Sequence, residues 1–235
     1  METQHIFGNF RNYYHFHPSK SRLEVFPAGF FVSLWEKLGK CSTFKILDVG
    51  CNEGDLTLAI FERARLEIPA EVRILCCGVD IDEVLIHRSR VKSESAGHND
   101  LQFLTCNVMV PEQLIIALDP YGTFDLVTLF SITMWIHLNY GNDGLSGFLA
   151  SMANKTSGAL LVEPQDTKSY KTAAKRCRKL GIGAPHQKLD HDIIDGIGDH
   201  ISAILTAQFG ERVAQKLGNE LWGRSLLLFT RFADV

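Results

Sequence analysis

Apolar residues in this chain gather in short runs of strand length, and helical patterns fill the gaps between them. The run at 44–49 predicts a first strand, and a helical pattern at 56–66 follows it. A second strand is predicted at 72–79, ending at Asp80, with a helix at 83–92. Runs at 101–106, 124–130 and 159–162 predict strands three to five. Further helices are predicted at 144–152, 168–180 and 201–209. Two closing runs, 212–217 and 225–231, have little between them and predict an antiparallel pair at the sheet edge. Strands alternating with helices specify an α/β fold: a doubly wound, mostly parallel, Rossmann-like sheet covered on both faces. Residues 1–40 precede the first strand and are expected to pack as a lid or arm on one domain spanning 41–235.

The first strand runs into Asp48-Val-Gly50-Cys-Asn52-Glu-Gly54. A strand, a glycine-rich loop and a helix form the part of an α/β fold that holds a nucleotide-like ligand, at the carboxyl end of the strand. An acid ending the second strand hydrogen-bonds ribose in such folds, which assigns Asp80, followed by Ile81, to that role. Asp82 is expected to cap the next helix. The dinucleotide fingerprint GxGxxG needs its middle glycine against a pyrophosphate. Asn52 stands in that place, which disfavours a nicotinamide dehydrogenase and suits a ligand bearing an amine and a carboxylate.

Composition changes this picture in three respects. The 235 residues are 46% hydrophobic and 22% charged, ordinary for a globular domain, and contain no apolar run long enough to span a bilayer. The amino terminus lacks the pattern of a signal peptide. Cysteines at 41, 51, 76, 77, 106 and 177 form no CxxC pair, so free thiols and a reducing, cytoplasmic setting are expected, with a nuclear pool as the other option. His186, His191 and His200 with Asp190 and Asp192 fit no metal spacing, and no metal is expected. The formal net charge of −3 means that any nucleic-acid contact must be local. One local basic surface exists. Lys168, Lys171, Lys175, Arg178 and Lys179 share a helical face, opposite an apolar stripe of Tyr170, Ala173, Ala174, Cys177 and Leu180. A solvated face is the plain reading of that pattern; its place after the fifth strand makes it the candidate nucleic-acid surface. Residues 181–199 are expected to form a mobile substrate loop.

The Asp-x-Gly-x-Asn-x-Gly run resembles the first motif of class I S-adenosylmethionine methyltransferases. Further motifs narrow the likeness: Phe7-Gly-Asn-Phe10, Tyr13, Phe16, Pro18 and Arg22; Ser131-Ile-Thr-Met-Trp-Ile-His-Leu-Asn139; Leu161-Val-Glu-Pro-Gln165; and Arg224-Ser-Leu-Leu-Leu-Phe229. Together they are similar to the bicoid-interacting family of RNA 5′-phosphate methyltransferases, nearest its short cytoplasmic 5′-monophosphate branch. The resemblance implies S-adenosylmethionine as cofactor, S-adenosylhomocysteine as product, and a small RNA of the tRNA or microRNA-precursor class as acceptor. It places Arg22 at the methionine carboxylate, Gly50 and Asn52 along the same moiety with Asp48 also in the cofactor site, Asn107 and Val108 at the adenine, and Phe130 and Ser131 beside the sulfonium. Tyr14 is expected to close that pocket. Tyr13, with His137 and Ser131, is expected at the acceptor phosphate. Met134 stands where the capping branch has a lysine, which suits an acceptor with fewer charges. Asp166-Thr167 replaces the family's Pro-Trp.

A terminal phosphate has its second pKa near ~6, so at neutral pH its oxygen is already an anion and needs no base. Alignment and exclusion of water are then the main requirements. A monomer with no membrane contact is expected. Two rival readings stay open: a methyltransferase for a small molecule or a protein, and a non-catalytic RNA-binding protein that kept the fold.

Overall fold

A computed structural model of the chain describes residues 19–179, 181, 189–210, 214–217 and 226–232. Seven strands form one sheet in the order β3-β2-β1-β4-β5-β7-β6. They are β1 Thr43–Val49, β2 Arg73–Asp80, β3 Leu101–Thr105, β4 Phe124–Phe130, β5 Thr156–Glu163, β6 Ala214–Leu217 and β7 Leu226–Thr230. The first five pair in parallel, and β7 runs antiparallel both to β5 and to β6. The predicted closing pair is therefore present, with β6 outermost and β7 carrying the reversed direction.

The helices are α1 Ser19–Leu23, α2 Phe30–Lys37, α3 Asp55–Glu67, α4 Glu83–Ser95, α5 Pro111–Leu118, α6 Thr133–Asn154, α7 Thr167–Lys179, α8 His191–Asp195 and α9 Ile197–Phe209. They cover both faces of the sheet. One core gathers Phe26, Phe30, Phe31 and Leu34 with Ile60 and Phe61 against β1 and β2. The other gathers Leu145, Leu149 and Met152 with Ile201 and Leu205 against β4 and β5. Every residue of β4 is buried, as expected of a central parallel strand covered on both sides.

Three elements depart from the sequence expectation. The helix predicted at 144–152 begins at Thr133, and the Trp135–Asn139 block lies in its first turns. Gly141, at φ 72° and ψ −171°, kinks it. The periodicity breaks at that kink, so only the second half was legible. α5 was not predicted at all. Its apolar run shows no stripe because Ile115 and Ile116 are exposed while only Ala117 and Leu118 are buried. Its Pro111 at the start was the available signal. The loop expected at 181–199 instead contains α8 and the start of α9, with Asp190 capping α8 through the Asp192 amide. Residues 182–188 lie outside the described residues.

Register places the ligand-bearing loops. Val49 pairs with Val79, so the glycine loop and Asp80 leave the sheet side by side. Phe130 pairs with Glu163, so Ser131 and Glu163 do the same one strand pair further along. Gly78 explains a glycine inside β2: a Cβ there would lie 2.6 Å from the Phe103 ring. The same ring fills the space beside Gly54, where a Cβ would approach to 2.8 Å. Phe103 thus packs against both glycines and fixes the end of the loop on the sheet. Gly78→Val should displace that ring and destabilise the fold by about 1–3 kcal/mol. Urea denaturation checks this; unchanged stability would contradict the packing role.

Candidate active site

A cleft opens at the carboxyl ends of β1, β2 and β4, the place where open α/β sheets bind ligands. Its space, including the open mouth, is about 980 Å³. The glycine loop forms its floor. Gly50 has φ 76°, and a Cβ there would meet Ile132 at 2.8 Å. The Gly50 and Cys51 amides both donate to the Val79 carbonyl, which ties the loop to β2. Asn52 takes a left-handed conformation, φ 55°, which glycine visits routinely and asparagine occasionally. Its side-chain oxygen accepts from the Glu53 amide, so that oxygen stabilises the turn itself.

Asp80 stands beside this loop. One carboxylate oxygen accepts from the Asn52 amide at 2.9 Å, the other from the Asp82 amide at 3.0 Å. Burial raises its pKa above the ordinary carboxylate value, against those two hydrogen bonds. Asp82 caps α4 by accepting from the Val84 amide. Asp48 lies beneath, with its two oxygens accepting from Thr57 and Thr128 hydroxyls at 2.6 and 2.7 Å. Burial raises its pKa too. Asp48 therefore braces the floor, whereas Asp80 faces the open cleft.

The far end is cationic. Arg22, on α1, is 2% exposed and lines the cleft. Its Nε donates to Glu163 at 2.6 Å and one terminal nitrogen donates to the second Glu163 oxygen at 3.1 Å. That nitrogen also reaches the Ser131 hydroxyl at 3.2 Å, and Ser131 donates to Glu163 at 2.9 Å. Ser131 holds a left-handed φ of 55°, a strained conformation for a serine. Buried Gln165 clamps the junction it creates. The Gln165 amide nitrogen donates to the Ser131 carbonyl, and its oxygen accepts from the Met134 amide at 3.0 Å. Glu163 and Gln165 were quoted as motif residues but not assigned a role; polar side chains directly at and after the end of an apolar strand were the unread signal.

The first turns of α6 roof the cleft. Ile132, Trp135, Ile136, Asn139 and Tyr140 all face it, the spacing of one helical stripe. Asn107, Val108 and Ile81 close the side next to Asp80. Trp135 and Tyr140 were missed as cleft residues because the helix that carries them was not foreseen.

The structure thus brings Arg22, Asp48, Gly50, Asn52, Asp80, Ile81, Asn107, Val108, Phe130 and Ser131 around one cleft. Tyr13 and Tyr14 lie outside the described residues. His137 is a correction. It is fully buried, with one ring nitrogen 2.8 Å from the Tyr170 hydroxyl and the other 2.7 Å from the Asn142 side-chain oxygen. Two residues past Trp135, it points to the opposite side of α6 and cannot touch a phosphate in the cleft. On α7, Lys168, Lys171, Lys175, Arg178 and Lys179 are exposed, over buried Tyr170, Ala173, Ala174 and Cys177. The third turn of that helix also meets the cleft wall, where the Arg176 guanidinium lies 5.2 Å from the Trp135 ring centre.

Strand order, a reversed β7 and this cleft define a class I S-adenosylmethionine-dependent methyltransferase. The donor set fits that cofactor: a fixed guanidinium at one end for a carboxylate, and an acceptor carboxylate at the other for ribose hydroxyls. The profile of Bicoid-interacting protein 3 (Bin3) matches residues 124–231, and that of the ubiE/COQ5 methyltransferase family matches residues 33–133. A Xenopus laevis pre-miRNA 5′-monophosphate methyltransferase is 38% identical, over 95% of this chain and 91% of its own. A Homo sapiens RNA 5′-monophosphate methyltransferase is 37% identical, over 95% of this chain and 80% of its own. Among solved structures, the bifunctional kinase-methyltransferase WbdD shares the fold, at a TM-score of 0.57 and 15% identity, over 94% of this chain and 42% of that one. The chain belongs to the bicoid-interacting methyltransferase family, and within it to the group of RNA 5′-monophosphate methyltransferases.

A ribose held by Asp80 would need the carboxylate ionised, because only then do both oxygens accept. The fold raises the Asp80 and Asp48 pKa values, so it favours their protonated forms. Their contribution to the stability of the free protein is thus present at low pH and lost as pH rises through the raised values. Binding of S-adenosylhomocysteine runs the other way and should weaken as pH falls through the raised Asp80 pKa, above the ordinary carboxylate range. Asp80→Asn should bind about tenfold more weakly at neutral pH and show a flatter pH dependence. Calorimetric titration checks both; an unchanged affinity would remove Asp80 from the site.

Proposed function

We propose that this protein transfers a methyl group from S-adenosylmethionine to the 5′-monophosphate of a small RNA, of the tRNA or microRNA-precursor class. The observation that carries the reading is the similarity to RNA 5′-monophosphate methyltransferases along 95% of the chain. The chemistry of the cleft supports it. Among the described residues that line it, the carboxylates are committed: Asp48 to two threonines and Asp80 to two loop amides. His137 lies outside it. A cleft so equipped offers little for deprotonating a hydroxyl or an amine, and a phosphate oxygen needs no deprotonation.

The cofactor, when bound, supplies the methyl group as an electrophile on a sulfonium. Arg22 would hold its carboxylate end, kept in place by Glu163 and Ser131. Asp80 would hold its ribose, and Asn107 and Val108 the adenine side. Phe130 and Ser131 would wall the cleft next to the methyl group, keeping water off the reacting centre. Tyr13 would orient the acceptor phosphate and Tyr14 would close over the cofactor. The five exposed cations of α7 would follow the RNA backbone, an electrostatic contact that weakens with salt. Six free cysteines support a reducing, cytoplasmic setting for the reaction.

The test uses the protein with methyl-labelled S-adenosylmethionine and one RNA carrying a 5′-hydroxyl, a 5′-monophosphate or a 5′-triphosphate. Label should appear on the monophosphate RNA alone. Equal labelling of the hydroxyl RNA would mean that a base or a ribose is the acceptor and would overturn the proposal.

A further inference from the structure

His137 has no face on the cleft, yet it joins elements that frame it. Its contact with the Asn142 side-chain oxygen requires a proton on Nε2, which leaves Nδ1 to accept from the Tyr170 hydroxyl. Burial lowers its pKa, so the ring stays neutral and this arrangement satisfies both nitrogens. The ring therefore links three points: the buried stripe of α7 at Tyr170, the first turns of α6, and Asn142 just past the kink at Gly141.

The residue before that kink is Tyr140. A Cβ on Gly144 would lie 2.2 Å from the Tyr140 Cβ, so the chain after the break is folded tightly against Tyr140. Tyr140 lines the cleft, is 37% exposed, and places its hydroxyl within 3.5 Å of the Asn107 side-chain nitrogen. The position along the cleft identifies what it faces. Arg22 marks the end next to β4 and β5, and Asp80 marks the ribose. Asn107 follows β3, one strand further out, so Asn107 and Tyr140 border the space where a base attached to that ribose must lie.

Resting on the cofactor assignment above, we propose that Tyr140 is the aromatic wall of the adenine subsite, and that His137, with Asn142 and Tyr170, is the positioning unit that sets the α6 kink and holds Tyr140 there. A stacked ring on one side of a base is worth enough to be measured. The kink needs a fixed anchor because glycine at a left-handed φ adds freedom that the helix itself does not remove.

Calorimetric titration of S-adenosylhomocysteine into the full chain tests both halves. Tyr140→Ala should weaken binding about tenfold. Asn142→Ala removes the anchor from a half-buried position, and Tyr170→Phe removes only a hydroxyl, so both variants should fold. Each should weaken binding about threefold to tenfold, with KM for S-adenosylmethionine rising and kcat little changed. In the Tyr140→Ala background, Asn142→Ala should cost nothing further, because its effect acts through that ring. A full additive loss in the double variant would overturn the positioning role, as would Asn142→Ala binding like the wild type. Tyr140→Ala binding like the wild type would overturn the adenine wall. No binding by the wild type would instead sink the cofactor assignment beneath the proposal.

Discussion

The buried ion pair between Arg22 and Glu163 holds the cleft together. Arg22 comes from a five-residue helix that precedes the sheet, and Glu163 ends β5. With 2% and 5% of the two side chains exposed, both charges have left water, and the two-point geometry and the Ser131 hydroxyl help to compensate them. Removing one partner from such a pair leaves an uncompensated buried charge, at a cost of about 3–5 kcal/mol. That penalty makes the pair a specific lock. It fixes α1 over the strand ends, orients a cation toward the cleft, and supports Ser131 in its strained conformation.

The cleft follows from that lock and from one opposite feature. At the other end, Asp80 uses its two oxygens to hold two loop amides, and so shapes the glycine loop while lining the cleft. A cation and an anion stand at the two ends, joined by an apolar stretch of Ile132, Ile136 and Phe130. This polarity matches a ligand with a carboxylate at one end and a hydroxylated nucleoside at the other. It also suits chemistry in which alignment does most of the work, since the proposed acceptor brings its own negative charge.

Much of this was legible in the chain because it rests on local pattern. Strands β1 to β5 are short segments rich in apolar residues, and the glycine loop with Asp80 one strand later is a short-range signature. Asn52 was read as disfavouring a dinucleotide loop; only the structure shows that it adopts a left-handed turn itself. What escaped the sequence depends on tertiary contacts. His137 sits in an apolar run beside cleft residues, and only the direction of α6 shows that it faces Tyr170 instead. Tyr140 becomes a cleft residue because a glycine kink follows it. Arg22 was singled out by family likeness, yet its pairing with Glu163, 141 positions away, has no local trace. α5 lacked an apolar stripe because two of its isoleucines face solvent.

The most direct test of the whole account is to locate the transferred methyl group. Monophosphate RNA treated with the protein and S-adenosylmethionine would be digested to nucleotides and its 5′-terminal nucleotide analysed by mass spectrometry. The account predicts that the added methyl mass lies on the terminal phosphate, with the base and ribose unmodified. A methyl group on the base or ribose of any nucleotide, with the terminal phosphate unchanged, would contradict it.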